Sequence, residues 1–412
     1  MLKRFELEAN NTSVRTEFFG GLASFLASFY IIIVNPSMLS LAGLPYTAVL
    51  TGTVLIAAFS TILMGMYANN PIVLAPGMGL NAFFTFTVIL GKKIEPEIAL
   101  GIIFWSGILC LFLSAFKLRE KIISFIPIHL RYAISCGIGF FIAFIGLQKG
   151  GVLESNPTTL LQMGTIGPKT VTFFICLFFT GFLVIKRVHG SLIIGILFTL
   201  LLSIPMGRLY GPDAIINWQG FMELPDFSLF GKINFVDSLS LALLPTILAF
   251  MFTDFFDTIS TLVGVFEAGN LLEKDGMPRN LRKTLIADSL ATTFAGIFGT
   301  SPTTSFIESA AGIQQGARTG LSSVFAGLMF LPFLFFAPLL SIFPIYTTSP
   351  ILVIVGLFMM APITKINWID LDVALPSFLA VILIPLTFSI TQGMIVALIS
   401  HYLFVTLRKG FR

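Results

Sequence analysis

Long apolar stretches alternate with short polar connections along the whole chain. A helix needs about 20 apolar residues to cross the hydrocarbon core of a bilayer, so each stretch predicts a membrane-spanning segment. The first set of segments runs over 20–41, 48–67, 72–90, 98–116, 125–147, 170–186 and 190–206. The second set runs over 238–264, 284–299, 302–316, 319–341, 345–363, 371–388 and 390–407. The pattern predicts an all-α polytopic membrane protein of about 14 transmembrane segments.

A polar connection at 207–237 divides the segments into two halves, 1–206 and 238–412. Each half contains an odd number of segments, so the second half enters the membrane in the opposite sense. We therefore predict a 7+7 inverted repeat, an arrangement that is common in secondary transporters. With the N-terminus in the cytoplasm, the connection at 207–237 lies on the extracytoplasmic side.

Segments 3 and 10 are interrupted at corresponding places in the two halves. Segment 3 contains Asn70–Asn81, where Pro and Gly divide an apolar run, and segment 10 contains Gly299–Glu308, which is rich in hydroxyl side chains. Neither predicts a continuous lipid-facing helix, because Pro removes a backbone donor and Gly lowers helix propensity. Interrupted backbone at membrane depth is tolerated only inside protein or beside a cavity. Paired interruptions therefore indicate a binding site.

Composition and charge narrow the class of protein further. Hydrophobic residues make up 56% of the chain and charged residues only 11%, which excludes a water-soluble globule. Lys and Arg gather on one side of the predicted segments, which places both termini in the cytoplasm of a cell (inner) membrane. No lysine-rich soluble face that would bind nucleic acid is visible. The polar start of the chain does not resemble a cleavable signal peptide.

Motifs for other chemistry are absent from the sequence. There is no P-loop, so ATP-driven pumping by this chain is not expected. No order of Ser, His and Asp indicates an enzyme, and the three histidines show no metal-ligand pairing. We expect no metal and no cofactor. Three cysteines lie in apolar runs without CxxC spacing and are expected to pack as small apolar side chains: Cys110, Cys136 and Cys176.

Four carboxylates fall inside predicted segments, where each costs about 2.5–3.5 kcal/mol at the centre of a helix. Glu308 follows the interrupted run of segment 10, where free backbone N–H groups could help to bind a polar ligand. Asp254 and Asp257 are three residues apart and share roughly one helix face, so one is expected to face a cavity and the other a neighbouring helix. Asp288 fits a ligand site and a structural hydrogen bond equally well.

Segment 3 adds an amide to this set. Asn81 ends the glycine-rich run, and its side chain can both donate to and accept from a heterocycle. Capping of the freed backbone beside Gly77 and Gly79 is an equally good interpretation of Asn81. We count Gly79 with the binding set.

Buried carboxylates also suggest the coupling ion. A carboxyl group in a low-dielectric cavity can hold a proton near neutral pH, and it can bind ligand N–H groups as well. Proton coupling is therefore the expected mechanism. Sodium stays open, because carboxylates, hydroxyls and unwound carbonyls would serve it too.

Four stretches of the chain resemble one known family. They are Val34–Pro36, Leu74–Phe84, Phe256–Gly264 and Gly299–Gly312. Together they resemble the adenine/guanine/hypoxanthine permeases, the AzgA-like branch of the nucleobase–cation symporter-2 (nucleobase/ascorbate transporter) family. The resemblance implies a core domain at about 20–116 plus 238–341 and a gate domain at about 122–206 plus 345–407. It also implies that short strands interrupt segments 3 and 10 and meet near the midplane.

The resemblance implies roles for the polar residues as well. The substrate-binding acids of the family fall on Asp257 and Glu308, and the asparagine of segment 3 falls on Asn81. Asp288 matches a polar position that supports transport, and Asp254 is placed with it in the proton-coupling set. We also expect Phe83 or Phe84 to stack on the substrate.

The predicted function is import of a free purine base (adenine, guanine or hypoxanthine) by proton symport, with the core moving against the gate. The expected partners are the base and the lipid bilayer, and homodimers are known in the wider family. One alternative is a transporter of the same architecture for another small solute, either uracil or xanthine or an anion. A passive channel or a membrane-embedded enzyme is the alternative of a different class.

Overall fold

The computed structural model describes residues 2–116, 127–156, 158–186, 188, 190–207, 220–268, 271, 278–340 and 345–410. Most of the predicted connection at 207–237 is included, but its residues 208–219 lie outside the described part. The connections at 117–126 and 272–277, which contain Lys and Arg that favour the predicted orientation, also lie outside the described part.

Helices dominate the first half. They are α1 (Val14–Ser28), α2 (Ile31–Leu39), α3 (Tyr46–Leu63), α4 (Met78–Ala82), α5 (Pro96–Ala115), α6 (Ile128–Lys149), α7 (Pro168–Ile185) and α8 (Ser191–Gly207). Helix α3 continues as a π-helical turn at Met64–Ala68, and α4 continues as a π-helix at Phe83–Gly91. Three short strands complete this half: β1 (Leu74–Pro76), β2 (Leu153–Asn156) and β3 (Leu160–Met163).

The second half repeats this character. Its helices are α9 (Leu244–Ala268), α10 (Leu281–Ile297), α11 (Ser309–Gln314), α12 (Gly320–Phe330), α13 (Ala337–Leu340), α14 (Ile345–Met360), α15 (Leu371–Thr387) and α16 (Ile390–Gly410). Strand β4 (Thr303–Ser305) precedes α11. Short 3₁₀ turns follow α12 at Leu331–Phe335 and α14 at Ala361–Lys365.

The predicted membrane character is confirmed by these elements. In the described part, seven helical stretches are long and apolar enough to cross a bilayer, and five shorter apolar helices accompany them. The predicted first segment differs, because it is divided into α1 and α2. The backbone N–H groups of Ile32 and Ile33 bond to carbonyls three residues back, at Phe29 and Tyr30. This tighter turn separates the two helices.

Strands β1 and β4 form an antiparallel pair inside the protein, which confirms the short strands expected in segments 3 and 10. Leu74 pairs with Ser305 and Pro76 with Thr303. The pair is extended by neighbouring groups: the hydroxyls of Ser60 and Thr61 on α3 donate to the Leu74 carbonyl. Interrupted backbone therefore finds hydrogen-bond partners within the protein, as membrane depth requires. The β2–β3 hairpin lies in the connection between α6 and α7 and was not predicted.

Helices α3, α9 and α10 contact the strand pair, α5 packs on α9 and α10, and α12 packs on α1 and α3. Helix α6 packs on α14 and α15 instead. The α6–α14 contact is close because glycines face each other. A Cβ atom on Gly139 would lie 2.5 Å from the Gly356 carbonyl oxygen, and one on Gly356 would lie 2.4 Å from that of Gly139. Small residues let membrane helices approach in this way. The assignment of these groups to a core and a gate domain stays a prediction.

Candidate functional site

A cavity of about 370 Å³ lies between the strand pair and helices α6 and α14. This volume is typical of a site for a small organic ligand. Its walls come from α4, α6, α9, β4 and α14, together with the turns that precede α2 and α11. Tyr30 and Thr304 at one end are almost fully buried, whereas Ile128 is 58% exposed and Lys365 is exposed at the other. The cavity therefore has a buried floor beside the strands and an open mouth beside the start of α6.

Two of the predicted acids line this cavity. Asp257 reaches it from α9, and Glu308 reaches it from the turn between β4 and α11. The two carboxyl groups are near enough to interact electrostatically. Asp257 also lies next to the Thr304 hydroxyl. The floor thus offers two carboxyl groups, which are suited to accepting ligand N–H groups.

Tyr30 fixes the position of Glu308. Its hydroxyl donates to Glu308 Oε1 at 2.8 Å, and its ring is only 1% exposed. Tyr30 stands immediately before α2, at the tightened turn between α1 and α2. No local pattern predicts this contact, because a tyrosine in an apolar run is also expected at a membrane interface.

Asp288 lies behind the cavity floor and does not line the cavity. Its Oδ2 accepts from the Thr258 hydroxyl at 3.0 Å, and Thr258 lies 3.2 Å from the hydroxyl of Thr304. Asp288 itself is fully buried and outside the cavity lining. The structure therefore connects Asp288 to the cavity through two hydroxyl groups.

Asp254 faces away from the cavity. Its Oδ2 accepts from the Thr292 hydroxyl of α10 at 3.2 Å, and Thr292 also donates to the Thr303 carbonyl of β4 at 3.1 Å. Of the two acids on one face of α9, the structure thus places Asp257 in the cavity and Asp254 against a neighbouring helix and strand.

Asn81 takes part in a buried network beside the strand pair. Its Oδ1 lies 2.6 Å from the Ser301 hydroxyl, which lies 3.1 Å from Asn35 Oδ1. The Asn35 amide donates to the hydroxyls of Thr53 and Thr300. Asn81 is fully buried and outside the cavity lining. The network as a whole joins α2, α3 and α4 to the chain before β4.

The remaining residues predicted from segment 3 also lie outside the lining. Gly79 contacts α6, where a Cβ atom would lie 2.4 Å from Cγ2 of Ile138. Phe83 and Phe84 are fully buried, and the Phe83 ring packs against Phe250 at a centroid distance of 4.6 Å. Other side chains supply the apolar walls of the cavity instead: Met78, Tyr132, Phe306, Val355, Phe358 and Met359.

In the described part of the chain, no three His, Cys, Asp or Glu side chains come together as metal ligands. The three cysteines are buried, and none of them forms a disulfide. The arrangement at the cavity floor is therefore one of carboxyl groups, hydroxyls and apolar walls.

Comparison with known proteins gives matches over almost the whole length. The sequence pattern of the Permease family matches residues 15–396. The chain is 36% identical over 405 residues to the adenine permease AdeP of Escherichia coli (strain K12), covering 97% of this chain and 89% of the relative. It is 41% identical over 411 residues to the guanine/hypoxanthine permease PbuG of Bacillus subtilis (strain 168), covering 96% and 92%.

Among solved structures, the transmembrane domain of a cyanobacterium bicarbonate transporter, BicA, superposes with a TM-score of 0.67 at 16% identity. The match covers 94% of this chain and 97% of that one. This likeness confirms the predicted 7+7 architecture.

Proposed function

The chain belongs to the permease family, and from this premise we propose that it imports purine nucleobases by proton symport. The relatives confirm the resemblance found in the sequence, and the chain is a membrane transporter rather than an enzyme. One structural observation supports the purine proposal most strongly. Asp257 and Glu308 lie together at the buried floor of a cavity that is large enough for the base.

The floor suits the edge of a purine. Purine bases carry N–H groups, and each carboxyl group can accept from one of them. Glu308 holds one oxygen toward Tyr30 and has the other for the ligand. The faces of the base would lie against Met78 and Phe306, which border the same space. Aromatic and thioether groups favour contact with a flat π system.

Transport requires that the floor face each side of the membrane in turn. The cavity lies between the helices near the strand pair and the group formed by α6 and α14. Movement of one of these groups against the other would change which side of the cavity is open. In this conformation the mouth lies beside Ile128 and Lys365. Contacts at other places join the two groups: the Thr87 hydroxyl donates to the Phe388 carbonyl, and Lys149 Nζ lies 5.8 Å from the centre of the Phe86 ring.

The coupling step follows from the two acids. A carboxyl group moved between water and a low-dielectric cavity changes its preference for the proton, so binding and release can be linked to the side it faces. We place the protein in the cell (inner) membrane with both termini in the cytoplasm. Its partners are then the base, the bilayer and, in a homodimer, a second copy of the chain.

Uptake into proteoliposomes tests this proposal. Radiolabelled adenine, guanine and hypoxanthine are offered with an inward proton gradient, an inward sodium gradient or none, and empty liposomes serve as the control. We expect one or more bases to enter faster under the proton gradient and to be displaced by unlabelled base. If no base enters under any gradient, the purine proposal is wrong. Stimulation by sodium alone would contradict proton symport while leaving the substrate in place.

The same vesicles test the alternative that a protein of this fold, which is shared with a bicarbonate transporter, transports an anion. The cavity floor carries two acids, which would repel bicarbonate or sulfate. We therefore expect no uptake of either anion above the level of empty liposomes.

A further inference from the structure

Two cations line the same cavity as the two acids. Arg131 extends from the first turn of α6, and Lys365 ends the 3₁₀ turn that follows α14. Among the described lining residues these are the positive side chains, and Asp257 and Glu308 are the negative ones. A neutral base needs no positive group at its binding site.

Lys365 marks the exposed mouth of the cavity, whereas Asp257 and Glu308 lie beside buried residues of its floor. Lys365 is exposed and its Nζ lies 5.7 Å from the centre of the Tyr132 ring, which follows Arg131 directly on α6. Of the acids, Asp257 contacts Thr304 of β4 and Glu308 accepts from Tyr30, and both of these partners are almost fully buried. Along α9 the lining runs from Asp257 to Gly264, seven residues and therefore about 10 Å of helix. A ligand that fills the cavity therefore meets both the carboxyl groups and the cations.

Resting on the proposed function, we propose that the mouth of the cavity is a phosphate subsite, and that a purine nucleoside monophosphate binds with its base at the floor and its phosphate at Arg131 and Lys365. A free base leaves the mouth unfilled, whereas a base that carries a sugar and a phosphate extends to it. Guanidinium and ammonium groups are the usual partners of phosphate.

The consequence for transport is inhibition. The nucleotide occupies the floor only while the cavity is open at the cationic mouth. Its charged phosphate opposes closure and passage, because burying a phosphate away from its partners is costly. The nucleotide is therefore an inhibitor that holds the carrier open to one side, and not a cargo.

Positive residues at the cytoplasmic ends of helices are common for reasons of orientation alone. A cation that serves only orientation should not affect the binding of any ligand. Lys283, exposed on α10 and outside the cavity lining, provides the matched control.

Equilibrium dialysis of the full-length protein in neutral detergent tests the subsite. The labelled probes are adenine, guanine and their nucleoside monophosphates, with unlabelled nucleosides as competitors. We expect each monophosphate to compete with its base and to bind more tightly than its nucleoside, an advantage lost at high salt. Arg131→Gln and Lys365→Gln should each weaken the monophosphate about tenfold or more while keeping base affinity. Arg131→Lys should retain binding, and Lys283→Gln should change nothing.

Several results would overturn the subsite. One is a monophosphate that fails to bind, and another is equal affinity in the wild type and the Arg131→Gln/Lys365→Gln variant. Displacement of labelled nucleotide by inorganic phosphate or phosphatidylglycerol vesicles as readily as by unlabelled nucleotide would also exclude a purine-linked site. If the base binds and the nucleotide does not, the subsite is wrong and the proposed function stands. If the nucleotide binds through the two cations and no base does, the proposed function falls and the subsite stands. Thermal melting checks that each variant is folded.

Discussion

Replacing Glu308 by Gln examines the proposed purine contact directly. The side chain keeps its shape, and the Tyr30 hydroxyl can donate to the amide oxygen as it does to Oε1 of the carboxylate. The Tyr30 hydroxyl is buried, so its proton needs an acceptor. The amide oxygen therefore stays toward Tyr30, and the NH₂ group turns to the cavity. Glu308→Gln thus presents a donor where the wild type presents an acceptor.

The magnitude follows from the lost contact. A hydrogen bond to a charged group contributes about 1.5–3 kcal/mol, so the Kd of the preferred base should rise roughly tenfold to a hundredfold. Removing the Tyr30 hydroxyl frees the amide to turn its oxygen to the ligand. The Tyr30→Phe/Glu308→Gln variant should therefore bind the base more tightly than Glu308→Gln alone, which is the opposite of two additive losses.

The assay is equilibrium binding of radiolabelled base to the purified protein at one pH, so that no gradient enters. Thermal melting confirms that the variants are folded, and Glu95→Gln, an exposed acid before α5, is the control. A Kd for Glu308→Gln within about twofold of the wild type would refute the contact. A double variant no tighter than the single one would refute the orientation argument.

Three further predictions concern stability and the cavity walls. Gly320→Ala should lower the melting temperature, because the added Cβ would collide with the backbone carbonyl oxygen of Gly65. Gly264→Ala is the control and should leave the melting temperature unchanged, because nothing lies within 4 Å of its Cβ. Equal melting temperatures of the two variants would contradict the packing at Gly320. Glu17→Ala should also lower the melting temperature, by the equivalent of about 3 kcal/mol or more. The buried Glu17 carboxylate accepts hydrogen bonds from three backbone N–H groups at the start of α12. An unchanged melting temperature would show that water replaces the carboxylate. Phe306→Leu should raise the Kd of the base, because the Phe306 ring lines the cavity. Phe83→Leu should mainly lower the melting temperature, because the Phe83 ring is fully buried outside the cavity lining. The reverse outcome would support stacking of Phe83 on the base.

The sequence by itself determined the class of the protein and the places of its segments. Apolar length is a local property, and lipid selects for it residue by residue, so the helices follow directly from the pattern. The strands at Leu74–Pro76 and Thr303–Ser305 were expected because the resemblance implied them and because Pro, Gly and clustered hydroxyls interrupt those two segments. Asp257 and Glu308 could be selected from the sequence as candidates because a carboxyl group in an apolar run is costly, and both line the cavity.

Tertiary structure alone decided how these parts meet. Tyr30 and Glu308 are 278 positions apart, and nothing local marks the tyrosine as the partner of the acid. Asp254 and Asp257 share one helix face, and only the packing of α9 against α10 and the strands separates them. Phe83 carries the same local signal whether it packs against Phe250 or lines a cavity. Each of these outcomes depends on which helices become neighbours, and that is fixed by the close packing of the whole chain and not by any one segment.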